Sequence, residues 1–272
     1  MRLFHTAVLI IAGSAVAAAQ TPTIADGGVL NGASFAKGQP VAAGSLVSIF
    51  GSNLASTTAK ADSIPLSTSL SNISVTFNGI AAPMIFASHD PANGDQLNVQ
   101  VPWEVKDGSA QVVVKNGNAS SAPATVTIAT APGIFNFIVG NTLQAVAYGN
   151  TDYLFAAPAG AIPGLTTHPA KINDPATLVL LATGLGQVSP SEVTGSGVTD
   201  INALPQTVTK PQVLVGGVPA QVVYSGMTPQ FPGVYQINII IQPGTPTGNA
   251  VPVQISMNGV TSTNQVTIAV SN

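Results

Sequence analysis

The sequence repeats itself, and that repetition limits the fold more than any other feature. Ile73 to Phe86 overlays Pro211 to Tyr224 at an offset of 138 residues, so that Gly79 meets Gly217 and Phe86 meets Tyr224. Gln96-Leu97-Asn98-Val99 overlays Gln236-Ile237-Asn238-Ile239 at an offset of 140, and Val126 to Ala129 overlays Val266 to Ala269 at the same spacing. Upstream, Leu46 to Ile49 with Asn53-Leu54 corresponds to Thr177 to Leu180 with Gly184-Leu185 at an offset of 131. The matched blocks keep their order and the drift in offset falls between them. Two copies of one unit of roughly 100 residues explain this, the size of an immunoglobulin-like domain.

Within each copy the grammar is that of strands. Runs rich in β-branched residues, such as Ile73 to Phe77, Gln111 to Val114, Tyr235 to Ile241 and Val251 to Ser256, are each bounded by Gly, Pro, Asn or Asp. Gln96, Asn98 and Gln100 alternate with Leu97, Val99 and Val101, which predicts one buried face and one amide-rich, wet face. Asn78-Gly79 and Gly216-Gly217 supply the positive φ that a two-residue hairpin turn requires. With 27 Gly, 21 Pro and only 6% charged residues, the chain lacks the dense Glu, Lys and Arg of a helical bundle. The expected fold is all-β: two tandem immunoglobulin-like β-sandwiches related by internal duplication, over residues 20–130 and 131–272. The Gly-, Ala- and Pro-rich stretch 131–170 is expected to form an inter-copy hairpin and linker, with Leu143 to Tyr148 against Tyr153 to Phe155.

The N-terminus gives an address. Residues 1–19 run from a single cation at Arg2, through the apolar stretch Leu3 to Ile11, to a small-residue ending at Ala19. These are the three parts of a secretory signal, with cleavage expected after Ala19 and a secreted, extracellular or periplasmic product. No later segment is apolar and unbroken for the ~20 residues that a spanning helix needs. The chain has no cysteine, so an exported product relies on core burial rather than disulfides. A net charge of -3 with seven basic residues leaves no cationic surface for phosphates, which excludes a nucleic-acid binder of the electrostatic kind.

Several short motifs occur in a combined order: Asn31 to Phe35, Val41 to Ser45, Ile49 to Leu54, Ala131 to Phe135, Ala182 to Gly186, and Tyr224 to Pro229 running to Gly233 to Asn238. In this order the sequence resembles a family of secreted proteins, abundant in soil acidobacteria, described as an uncharacterised C-terminal domain. It is also similar to the wider IPT/TIG group of immunoglobulin-like folds. The resemblance implies a fold and an extracellular setting, and brings no catalytic residue with it.

The chemical inventory is thin. After signal removal His89 and His168 are the only histidines, and neither stands in a nucleophile elbow. Glu104 and Glu192, the only glutamates, fall in non-equivalent loops of different copies. Gly184-Leu185-Gly186 follows a strand, but Ser189 replaces the third glycine of a dinucleotide fingerprint and Pro190 denies it a helix. No cofactor is expected. Asp90, Asn93 and Asp95 gather oxygen ligands on one loop as a weak calcium site does, but they are also ordinary turn formers.

Two apolar features are candidates for contact. The connection from Gly226 to Tyr235 carries Met227, Phe231 and Tyr235 where loops are usually polar; it either meets a partner, or folds back to plug the sandwich or close the interface between the copies. Trp103, the only tryptophan, is either a stacking platform for a sugar, or a cap over the first core or a plug at the domain interface. The favoured function is a non-catalytic binding or structural module for an unknown extracellular protein or surface. A carbohydrate-binding accessory protein for a polysaccharide and a secreted hydrolase are the alternatives. Self-association through sheet edges, which few charges guard, is a further expectation.

Overall fold

A computed structural model describes residues 21–272. The expected signal segment and its cleavage point lie outside the described residues. Among those residues there is no helix; the elements are strands joined by turns. The chain is all-β and forms tandem immunoglobulin-like sandwiches.

The first module packs two sheets. One runs in the order Thr23–Asn31, Leu46–Ser52, Asp95–Gln100, Met84–Ser88, Ala59–Lys60. The other runs Ala124–Ile128, Gly108–Asn116, Ile73–Phe77, Ile80–Ala82, with Ala119–Ser120 paired on Gly108–Asn116. The second module repeats this order. One sheet contains Gly133–Ile134, Leu178–Thr183, Tyr235–Ile240, Gln221–Met227, Gln206–Thr207 and Val188–Ser189. Its partner sheet contains Val266–Ser271, Gly248–Met257, Gln212–Val215 and Val218–Pro219, with Val260–Thr261 paired on Gly248–Met257.

The duplication extends to irregularities. The ladder slips between Met84 and Phe86 opposite Val99 and Asn98, and again between Val222 and Tyr224 opposite Ile239 and Asn238. An unpaired extra residue bends a strand and re-aims its side chains, so a bulge kept in both copies marks a shared design. Ser121 Oγ accepts from the Val114 N–H, and Ser262 Oγ accepts from the Ile255 N–H at the corresponding point. Each serine hydroxyl thus replaces a ladder acceptor where the strand leaves register.

Alternation fills the two cores. Ile73, Val75, Phe77, Leu97, Val99 and Val101 point into the first, and Val213, Val215, Ile237, Ile239 and Ile241 into the second. Burial of each such side chain contributes on the order of 1.5–3 kcal/mol before entropy is counted, and without disulfides this is the main source of stability.

The segment 131–170 is more than a linker. Asn136–Val139 and Thr142–Ala145 form a hairpin around Gly140-Asn141, and Gln144 continues the second module's sheet by parallel pairing with Thr267. Ala147–Gly149 then crosses to the opposite sheet and pairs with Leu178–Leu180. The main hairpin therefore forms earlier than the sequence predicts, and only the bridge Tyr148↔Phe155 remains of the expected pairing. Gly140 adopts positive φ and permits the tighter turn, while Phe137, Ile138 and Val139 supply an extended run beside it.

Candidate functional site

The two modules are joined by specific contacts. Gln100, fully buried at the end of its strand, donates from Nε2 to the Gly44 carbonyl (3.2 Å) and accepts at Oε1 from the Gly195 N–H of the other module (2.8 Å). The Trp103 backbone N–H donates to Thr194 Oγ1 (3.0 Å), whose hydroxyl donates to Glu104 Oε2 (2.7 Å). Leu46 N–H donates to Thr183 Oγ1 (2.9 Å), and that hydroxyl donates to the Gly233 carbonyl (2.7 Å). Glu192 accepts from Ser196 Oγ within its own loop (3.2 Å).

Trp103 is the wedge of this junction. Its ring lies over Gly44, where φ is +74° and a Cβ would fall 2.2 Å from ring carbons. Only glycine meets both demands at that point. Trp103 also packs on the second core and meets Tyr235 edge-on, with ring centroids 6.4 Å apart at 64°. The half-buried Trp103 is thus committed to contacts with both modules.

The apolar connection divides its residues between two tasks. Met227 and Tyr235 are buried in the second core, and the Tyr235 hydroxyl donates to the Gly186 carbonyl. Burial raises the Tyr235 hydroxyl far above its ordinary pKa and so keeps it a neutral donor. Neither residue touches solvent, so neither is a contact residue. Phe231 is the reverse, 64% exposed at the tip.

Beneath Phe231 lies a cleft of about 760 Å³ between the modules. Leu46, Ile64 and Phe86 of the first module face Phe231, Pro232 and Val234 of the second across it. Lys60 and Asp62 are the charged residues of its lining. Ile64 is 47% exposed, so two large apolar side chains from different modules stand open at one site. Volumes of ~300–1,000 Å³ and positions between domains are typical of ligand sites. The edge strand Ala59–Lys60 borders the cleft and is paired on one side only, with Met84–Ser88.

The remaining candidates are internally engaged. Asp90 Oδ1 accepts from the N–H groups of Ala92 (2.9 Å) and Asn93 (3.0 Å), while Oδ2 accepts from Asn93 Nδ2 (2.9 Å). These bonds, the Asn93 side chain first, hold the Asp90 carboxyl below its usual range. Asp95 Oδ1 accepts from the Asp90 N–H and pairs with His89 Nδ1 (2.9 Å), and its Oδ2 accepts from the Ala55 N–H. The three candidate metal ligands thus build a turn. Among the described residues no group of three or more His, Cys, Asp or Glu stands together as a metal site.

His168 donates from Nδ1 to the Pro169 carbonyl and from Nε2 to Asp152 (both 2.8 Å). The Pro169 carbonyl first, then the Asp152 carboxylate, raise the His168 pKa. With both ring nitrogens occupied, His168 has none left to activate a nucleophile.

Residues 34–128 match the model of a family described as the IPT/TIG domain. The first module is an IPT/TIG-like β-sandwich of immunoglobulin type. Among solved structures, the chain is similar to Bacteroides ovatus SGBP-B of a mixed-linkage glucan utilization locus, in complex with a mixed-linkage heptasaccharide. Identity is 12% and the TM-score 0.31, over 85% of this chain and 42% of that one. It is also similar to the Escherichia coli adhesin FdeC, with 13% identity and a TM-score of 0.27 over 93% of this chain and 64% of that one. A third likeness is to the Yersinia pseudotuberculosis adhesin InvE, with 11% identity and a TM-score of 0.21 over 91% of this chain and 58% of that one. The chain spans less than two thirds of the length of each. No curated protein matches the sequence. Among the described residues, no helix is long and apolar enough to cross a membrane.

Proposed function

We propose that this protein is a secreted, non-catalytic binding module that captures an extended segment of an extracellular partner protein in the cleft between its two sandwiches. The carrying observation is the pair Ile64 and Phe231, exposed apolar side chains from different modules facing one cleft. The partner's backbone lies along the open edge of Ala59–Lys60, and an apolar side chain enters between Leu46, Phe86 and Val234. Strand addition of this kind takes affinity from main-chain hydrogen bonds and specificity from a side-chain pocket. The bonds from Gln100, Thr183 and Thr194 hold the walls in place before the ligand arrives, which lowers the ordering cost of binding. Two features support a non-catalytic role: His168 has both ring nitrogens engaged, and the Asp90 and Asp95 carboxylates serve their own loop. The signal-like N-terminus supports export.

Panning a random-peptide display library against the protein tests this reading. Enriched peptides carry a large apolar residue, and Ile64→Asp or Phe231→Asp weakens their binding by at least about tenfold while the thermal midpoint is retained. Failure to enrich any sequence, or enriched peptides indifferent to both substitutions, would rule the cleft out.

A further inference from the structure

The two copies treat one row of amides differently. In the first module Asn98 Oδ1 accepts from Ser48 Oγ (2.9 Å) and from Gln96 Nε2 (2.8 Å), so the row closes on itself. In the second, Val179 stands opposite Asn238 where Ser48 stands opposite Asn98, and a hydrocarbon side chain donates nothing. Gln236, the counterpart of Gln96, accepts instead from Thr228 Oγ1 (3.2 Å). Asn238 Oδ1 is left buried without a partner. Unpaired buried polar atoms are uncommon in native structures and ask for an explanation.

The same face also borders a cleft. In the first module the connection between Leu46–Ser52 and Ala59–Lys60 takes residues 53–58; in the second, the equivalent connection takes residues 184–205. The extra length flanks an open cleft of about 500 Å³ with Ile201 and Leu204. Its floor carries Ser189, Gln206 and Gln236, which belong to a cross-strand row of register partners that Gly226 completes, beside the pair Tyr224 and Asn238. A Cβ on Gly226 would come within 2.1 Å of the Pro205 carbonyl oxygen and 2.3 Å of the Tyr224 hydroxyl, so glycine at that point lets the Tyr224 ring lie across the strand. No side chain lining this cleft is charged, and none of them lines the cleft between the modules.

We propose that this second cleft is a binding site for a neutral oligosaccharide. A carboxamide donates and accepts through adjacent atoms, which matches neighbouring hydroxyl groups on a sugar ring. Ile201, Leu204 and the Tyr224 ring offer apolar surface to the C–H faces of the same ring. The lack of a cationic side chain selects against uronic acids, sulfated sugars and phosphates. Asn238 gains from the ligand the partner that Val179 withholds.

Isothermal titration of the protein with neutral cello-, xylo- and manno-oligosaccharides, and with oligogalacturonate as the acidic control, decides the matter. The expected result is binding of at least one neutral series, weakened by at least about tenfold in Gln206→Ala and in Asn238→Val, as expected when a buried polar partner is lost. The thermal midpoint of Asn238→Val should be no lower than wild type, because the change removes an unpartnered atom; a merely structural asparagine would lower it. Phe231→Asp leaves sugar binding unchanged, which separates this site from the peptide cleft. No affinity for any neutral series, a preference for oligogalacturonate, or wild-type affinity in both variants would overturn the proposal.

Discussion

The loop between Met84–Ser88 and Asp95–Gln100 and its counterpart between Gln221–Met227 and Tyr235–Ile240 occupy the same place in the repeat and do opposite things. The first is polar and satisfies itself, with Asp90 capping its own turn and Asp95 tying the turn to Ala55 and His89. The second is apolar and turns outward: it accepts the Thr183 hydroxyl at the Gly233 carbonyl, buries Tyr235 against Trp103 and leaves Phe231 exposed over the cleft. Duplication fixes where a loop emerges. The residues placed there decide whether it closes on itself or reaches its neighbour.

The junction gives the largest test of this contrast. Trp103 belongs to the first copy but packs on the core of the second, and at an offset of 140 its counterpart is Pro243. Trp103→Ala is expected to cost about 3–4 kcal/mol, in the range for removing a large aromatic side chain, and to split a single calorimetric transition into two. One undivided transition with an unchanged midpoint would show that the modules do not depend on it. Gln100→Ile places in the first module the residue that its counterpart Ile240 provides in the second. It removes the partners of the Gly195 N–H and Gly44 carbonyl, and a loss of about 1–3 kcal/mol in chemical denaturation is expected.

Smaller effects sharpen the comparison. The Leu154 N–H, then the His168 side chain, lower the Asp152 pKa, while His168 is raised. A lowered carboxyl stabilises above its ordinary value of 3.8 and loses that contribution as pH falls. A raised histidine contributes fully below its ordinary 6.5 and loses that contribution as pH rises through its folded value. The pair therefore stabilises most between these two values. Both side chains are substantially exposed, so the gain stays below about 1 kcal/mol. His168→Gln should flatten this part of the midpoint-versus-pH curve and leave the rest unchanged. Smallest of all, excess calcium should leave the midpoint of the wild type unaltered, because the Asp90 and Asp95 oxygens already accept hydrogen bonds from their own loop. A calcium-dependent rise would reinstate that loop as a cation site.

Much of the architecture was legible because a sandwich is written locally. Period-two alternation in Gln96 to Val101, turn pairs such as Asn78-Gly79, and the offset between copies each specify strands, hairpins and repetition without knowledge of distant contacts. The hairpin at 136–145 is less legible, because its turn Gly140-Asn141 lies in a stretch rich in Gly, Ala and Pro where turn residues are common. In the apolar connection, the local sequence does not distinguish Phe231, which is exposed, from Tyr235, which is buried.

What the amino-acid sequence determined alone is the β class, the duplicated order of strands and the faces that enter each core. Tertiary structure decided the rest: that Gln100 meets Gly195, that Trp103 rests on Gly44 beside Tyr235, and that Val179 deprives Asn238 of a donor. Alternation and turn chemistry act over a few residues. A cleft or an orphaned amide depends on which side chains arrive opposite one another from positions far apart in the chain, and no periodicity records that.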